Sequence, residues 1–327
     1  MKNKRIIKTS RIQRKPPCID ELFGKYIDYA TYSRRLRSAT IQSYKEVFRV
    51  FRMLMPEITS SVIISADKMS SFFKKLETRK RIVGKGEVRV GVKASTIMSY
   101  WSRLNSFFKW LEINNFLKNN PLPKMRPPEP EYTDRKSLSK SDLEKIIGAV
   151  DLHSKNSLLL KRDKAVIYLL FYTGMRKSEL YSLKVMDINL EKGVVKIEGR
   201  TSKSKKTREL PINPVLDIHL REYITERNKK GYKTEYLIVS NNGDNRLSKD
   251  GLNHLVKRLV KLSGVKFHLH QFRHTFACGL GAQGIGSYKL QKLMGHTDLR
   301  MTDRYLRSMD VEDLRGDVNN LSIDNLI

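Results

Sequence analysis

The chain has 327 residues, 39% of them hydrophobic and 30% charged, which suits a soluble globular protein with room for two ordinary domains. Its 64 Lys and Arg against 34 Asp and Glu leave a formal charge of +30, an excess that repels itself unless a polyanion offsets it, so nucleic acid is the expected partner. Two cysteines, Cys18 and Cys278, exclude a disulfide scaffold and a cysteine zinc site; the N-terminus is too basic for a signal peptide, and no apolar run approaches membrane-spanning length.

Residues 1–17 are rich in Lys and Arg, end in Pro16-Pro17 and have little apolar periodicity, which predicts a disordered basic arm. A DNA contact and a solvated tail without a role suit it equally. From 18 to 117 the pattern is helical. Phe23, Ile27 and Ala30 share a face, and Ile41, Tyr44, Val47, Phe48, Phe51 and Leu54 keep a helical spacing after Ser38 until Pro56 stops it. Ser65 opens a third helix with Met69, Phe72, Phe73 and Leu76 inside; Ser95-Thr96 opens a fourth carrying Ile97, Trp101, Leu104, Phe108 and Leu111. Between them GKGEVRVGVK reads as a flexible basic loop or a small hairpin. Residues 118–136 hold five prolines and form the expected linker, because proline cannot continue a helix.

The second domain is expected over 137–306, mostly α with a small antiparallel sheet. Helices are predicted over 139–150, with Ser141 and Glu144 as a capping box, then over 164–171, 177–183, 214–229 and 249–262. GVVKIEG and TRELPI read as two strands around the polar turn TSKSKK. Within the C-terminal segment 307–327, residues 310–327 change sign: Asp310, Glu312, Asp313, Asp317 and Asp324 outnumber Arg315, and Val311, Leu314, Val318 and Leu321 recur at helical spacing. It suits docking on a neighbouring basic protomer and packing on its own domain equally.

Several residues point to chemistry on a phosphate. Arg176 follows Thr173-Gly174, where glycine lets the chain turn into a new helix, and a guanidinium at a helix start meets phosphate well. Glu179, three residues on, can orient it. By themselves the two read more readily as a surface ion pair of about 0.2–0.5 kcal/mol. Lys203 lies in the polar turn among Lys205, Lys206 and Arg208, where crowded cations lower a lysine's pKa; the same turn also suits a solvated phosphate contact. His270 and Arg273 share one helix face, so one can move protons while the other grips an oxyanion. His296 follows Gly295 at a turn, and Tyr305 comes nine positions later.

TGMRKSEL, the HxxR pair His270 and Arg273, LMGH ending at His296, and Tyr305 together resemble the tyrosine recombinases, the lambda-integrase and Xer-like family. The resemblance covers roughly 137–306. It implies an N-terminal all-α core-binding (SAM-like) domain and a C-terminal α+β catalytic domain, as in DNA breaking–rejoining enzymes. It implies Arg176, Lys203, His270, Arg273 and His296 as catalytic groups, Glu179 as the orienting group and Tyr305 as nucleophile. Lys205 stays a rival for Lys203, because this hairpin is longer than the family's shortest. Gly284-Ile285-Gly286-Ser287 also departs from the family's G-x-D-L. The implied activity is site-specific recombination or integration through a 3′-phosphotyrosine link, without ATP, metal or other cofactor. The implied partners are double-stranded DNA with inverted-repeat half-sites and further copies of the chain, four on two sites, with no membrane. The protein would then work in the cytoplasm at the nucleoid. A non-catalytic DNA-binding protein of the same fold and a type IB topoisomerase-like relaxing enzyme stand as alternatives. Gly279 to Gly284 satisfies G-x-G-x-x-G but follows a predicted helix rather than a strand, and His268, His270 and His274 lack a nearby carboxylate or cysteine to complete a zinc shell.

Overall fold

A computed structural model describes residues 17–84, 86–125, 137–154, 156–199 and 206–306, with backbone alone at 153 and 304–306. The basic arm at 1–16, the stretch 126–136, Lys203 with Lys205, and the segment 307–327 lie outside the described residues. The chain divides into two compact units between Thr133 and Asp134, and each is taken by itself.

Unit 1 contains α1 (Ile19–Asp28), α2 (Ser38–Leu54), α3 (Ala66–Thr78), β1 (Lys80–Val83), β2 (Glu87–Val90) and α4 (Ala94–Ile113). Ser65 caps α3 by accepting from the Lys68 amide at 3.3 Å, so the start expected at that serine is made by its side chain. The core is aromatic: Phe51, Phe72 and Phe108 are buried as expected, and Phe107, outside the predicted stripe, is buried as well. Phe107 meets Phe23 and Phe48 edge-on, while those two rings stack at 3.8 Å. Of the two readings left open for the segment before α4, the hairpin is the one observed, with Ile82 opposite Val88.

The expected linker starts later than residue 118. Leu122 is fully buried in the unit 1 core, and Trp101 Nε1 donates to the carbonyls of Leu122 (3.2 Å) and Met125 (3.0 Å). Proline bars an α-helix here but not a packed 3-10 turn, Leu122–Lys124, which leaves indole-facing carbonyls free to accept.

Unit 2 runs through α5 (Lys140–His153), α6 (Ser157–Thr173), α7 (Lys177–Ser182), β3 (Ile188–Asn189), β4 (Val194–Ile197), β5 (Arg208–Pro211), α8 (Pro214–Lys229), α9 (Lys249–Ser263), α10 (Leu269–Ala282), α11 (Ser287–Met294) and α12 (Arg300–Leu306). The sheet is antiparallel in the order β3-β4-β5, with Val195 opposite Leu210 and Ile197 opposite Arg208. β3 adds a strand that the sequence reading lacked. The capping box of α5 is Ser139 with Asp142, not Ser141 with Glu144: the Ser139 hydroxyl accepts from the Asp142 amide, and Asp142 accepts from the Ser139 amide, both at 3.1 Å.

α6 is the central helix, packed against α8, α10 and α5. It begins about two turns earlier than predicted, where Asn156 accepts from the Leu158 amide at 2.9 Å. The charged run Lys161-Arg162-Asp163 hid that start, because charges suggest a solvent face. Here Arg162 and Asp163 are buried together: Asp163 accepts from Arg162 Nε (2.9 Å) and Nη2 (2.8 Å), and its other oxygen accepts from Arg258 on α9. A buried carboxylate is tolerated when its lone pairs are filled this way.

Candidate active site

The helix-to-helix turn between α6 and α7 places the first arginine. α6 ends on Gly174 in the left-handed region, φ +58, and a Cβ there would meet the Phe276 ring at 2.3 Å, so only glycine fits. The turn sends Met175 into the core and leaves Arg176 as the extended residue before α7. Glu179, 1% exposed, accepts from the Arg176 amide at 2.9 Å and from Arg176 Nη1 at 3.0 Å. The pair is therefore an internal one rather than a surface ion pair.

Glu179 has a second arginine. Arg208, the first residue of β5, donates from Nη2 at 2.8 Å and from Nη1 at 3.2 Å to the two carboxylate oxygens. Burial alone would push this carboxyl up; the Arg208 hydrogen bonds and charge, then the Arg176 amide and charge, override it and hold the pKa at about 2. Arg208 also donates from Nε to the Leu293 carbonyl at 3.0 Å. Next to it, a Cβ on Gly295 would come within 2.8 Å of Arg208 Nη1.

Arg273 projects inward from α10 and is 1% exposed. Its Nη1 donates to the Gly174 carbonyl at 2.7 Å, and its Nη2 donates to the Met294 carbonyl at 2.5 Å and to His296 Nε2 at 2.9 Å. A guanidinium only donates, so Nε2 of His296 is the acceptor and Nδ1 carries the proton. That proton points at Thr302 Oγ1, 2.9 Å away on α12. Burial, then the charges of Arg273, Arg176 and Arg208, push the His296 pKa down to about 3, so the ring is neutral near pH 7.

Arg176 Nη2 reaches the Gly295 carbonyl at 3.3 Å, so three expected site residues, Arg176, Arg273 and His296, meet around residues 294–296. A groove of about 740 Å³ opens beside them, lined in part by Lys206, Arg208, Tyr288, Lys292 and His296. His270 is exposed in the first turn of α10 and is the last of the groups that lower the His296 pKa. Tyr305 falls on α12, which packs against α10 and α11; its side chain is outside the described residues. Lys203 is outside them too, in the segment between β4 and β5; on its flanks the Gly199 amide donates to Thr207 Oγ1 at 3.0 Å.

Two residues of the cluster escaped the sequence reading. In the sequence Arg208 is one more cation beside Lys203, yet strand alternation puts it on the same side as buried Leu210. Thr302 is fully buried on α12, three positions before Tyr305 in the sequence. The decoys resolve simply. Gly279 to Gly284 covers the last turn of α10 and the bend after it, with no strand leading in. His268 is the exposed residue before α10, and His274 is buried with both ring nitrogens 3.7 Å from Cys278 Sγ.

Among the described residues no helix is long and apolar enough to cross a membrane. Residues 136–312 match the model of the phage integrase family. A tyrosine recombinase of Thermosipho africanus is 29% identical over 297 residues, which is 90% of this chain and 97% of that protein. The tyrosine recombinase XerC of Thermodesulfovibrio yellowstonii is 30% identical over 278 residues, 82% of this chain and 85% of that protein. The structure of the XerH site-specific recombinase bound to a palindromic difH substrate, a post-cleavage complex, is similar at a TM-score of 0.70 with 20% identity, covering 91% of this chain and 83% of that one. The family match spans more than half of the sequence and contains every element that carries the cluster, so the chain belongs to the phage integrase family of tyrosine recombinases.

Proposed function

We propose that this chain is a site-specific DNA recombinase that cleaves and rejoins strands through a 3′-phosphotyrosine link. The observation that carries the reading is the meeting of Arg176 and Arg273 at residues 294–296, beside an open basic groove. A phosphodiester resists attack because the approaching oxygen meets negative charge. Two guanidinium groups on its non-bridging oxygens withdraw that charge and stabilise the transition state.

Tyr305 supplies the attacking phenolic oxygen; its bond to phosphorus forms as the bond to the 5′-oxygen breaks. His270 takes the phenolic proton, and Lys203, or Lys205 in the same turn, gives one to the departing oxygen. The phosphodiester is exchanged rather than hydrolysed, so a 5′-hydroxyl can reverse the step, and neither ATP nor a metal is needed. His296 has no proton on Nε2 to give while Arg273 donates to it. A phosphate drawn into the cluster takes over Arg273's donors and adds negative charge, which favours the imidazolium and turns Nε2 into a donor to that phosphate.

The charge of +30 supports duplex DNA as substrate, held largely through its phosphates. By likeness to XerH on its palindromic substrate, the site is an inverted repeat. We infer four protomers on two such sites, acting in the cytoplasm at the nucleoid.

The test uses nicked duplexes built from the sequence that the protein occupies most strongly on genomic DNA. A denaturation-resistant protein–DNA adduct is expected, unaffected by EDTA, absent in Tyr305→Phe and nearly absent in Arg176→Ala. An adduct that persists in Tyr305→Phe gives the nucleophile to another residue, and binding without any adduct leaves a non-catalytic DNA-binding protein.

A further inference from the structure

We infer that Arg208 is a positioning residue for strand cleavage: it takes up the charge of Glu179 and so leaves Arg176 available to the scissile phosphate. This rests on the recombinase reading above. The argument begins from the share each arginine takes of one buried carboxylate. Arg208 meets Glu179 with both terminal nitrogens, one on each oxygen, at 2.8 and 3.2 Å. Arg176 gives the same carboxylate one guanidinium nitrogen, Nη1, together with its backbone amide. Among the described residues its other terminal nitrogen reaches the Gly295 carbonyl, a neutral acceptor at the long distance of 3.3 Å. The planar fork of Arg208 is thus the principal counter-ion, and Arg176 is steered without being neutralised.

Position matters as much as charge. Arg208 is largely buried, as is Glu179, so water contributes little to stabilising either. Without the Arg208 fork, Glu179 would hold a full negative charge against a single arginine. The stable arrangement would then be a two-nitrogen pair with Arg176, and the group meant for phosphate would be spent on a carboxylate. Arg208 also ties the start of β5 to the segment that carries His296, through its bond to the Leu293 carbonyl at 3.0 Å. Three stretches far apart in sequence are fastened by this one side chain.

The experiment compares Arg208→Met, Arg208→Lys, Glu179→Gln and the double variant Arg208→Met/Glu179→Gln on the nicked duplex, reading single-turnover adduct formation, equilibrium DNA binding and thermal midpoint in parallel. Arg208→Met is expected to cleave about 100-fold more slowly, the size typical of losing a preorganised charged donor, with DNA affinity changed less than threefold. Arg208→Lys should restore part of the rate. The double variant should recover at least about tenfold over Arg208→Met, because an uncharged amide no longer captures Arg176. Cleavage by Arg208→Met within threefold of wild type overturns the inference. So does a double variant no faster than the single one, since a purely structural arginine would not be rescued by removing a charge. If Arg208→Met fails to fold, the lysine and double variants decide alone: neither exceeding the rate of Arg176→Ala overturns it. A wild-type protein that forms no adduct refutes the recombinase reading itself and is distinguishable from all of these.

Discussion

Thr302 Oγ1 stands 2.9 Å from Nδ1 of His296, and so ties the helix that carries Tyr305 to the ring that borders both arginines. The contact is fully buried at the threonine end. With Arg273 holding Nε2 as an acceptor, the hydroxyl accepts the Nδ1 proton, and the contact gives α12 a polar anchor within one turn of the tyrosine.

Thr302→Val keeps the shape and removes the hydroxyl, leaving a buried N–H without this acceptor at a cost of about 1–3 kcal/mol. Single-turnover adduct formation should fall about tenfold or more, while Thr302→Ser stays near wild type. An unchanged rate in Thr302→Val would remove the hydroxyl from the positioning of α12.

Arg273→Lys tests geometry against charge. One ammonium cannot span the Gly174 carbonyl, the Met294 carbonyl and His296 Nε2 as the guanidinium does. Cleavage is expected to drop about 100-fold or more with DNA binding nearly retained. Equal rates for lysine and arginine, measured at saturating protein, would show that charge alone suffices.

Gly174→Ala combines a left-handed backbone with a ring contact at 2.3 Å. The expected loss is about 2–4 kcal/mol, or a thermal midpoint lower by about 5–15 °C for a unit of this size. Because the Gly174 carbonyl also accepts from Arg273, the variant should lose activity at temperatures where it is still folded.

Acid should weaken unit 2 in two steps of the same sign. His296 titrates near 3 when folded and near its ordinary 6.5 when unfolded, so the unfolded chain binds more protons between those values and stability falls as pH drops from 6.5 towards 3. Glu179, near 2 folded against 4.5 unfolded, adds a loss as pH falls through 4.5 towards 2. Thermal midpoints measured from pH 7.5 to 5 should decline in wild type and decline less in His296→Gln. A midpoint that rises on acidification would contradict the neutral, buried ring.

Much of the fold was legible because apolar spacing and caps report burial directly. α8 lies over the predicted residues, and α2 and α3 start where their serines indicated. What stayed hidden had a common cause: polar residues whose partners lie far away in sequence. The charges of Arg162 and Asp163 masked the first turns of α6, because Arg258 is 95 residues on. Arg208 looked like one more basic residue of a turn, because Glu179 is 29 residues earlier. Prolines 121 and 123 suggested an extended linker although Trp101 was waiting to bind the carbonyls of that turn. Motif boxes located Arg176, Arg273 and His296 without saying how they are held; that depends on carbonyls 174, 294 and 295, which no side-chain pattern encodes.

The close approach of Gly295 to the guanidinium of Arg208 has an outcome for anyone who randomises this region. Position 295 should behave as fixed under selection. Libraries that vary it should return glycine almost every time, whatever stands at 208, because the backbone there is left-handed at φ +61 as well as crowded.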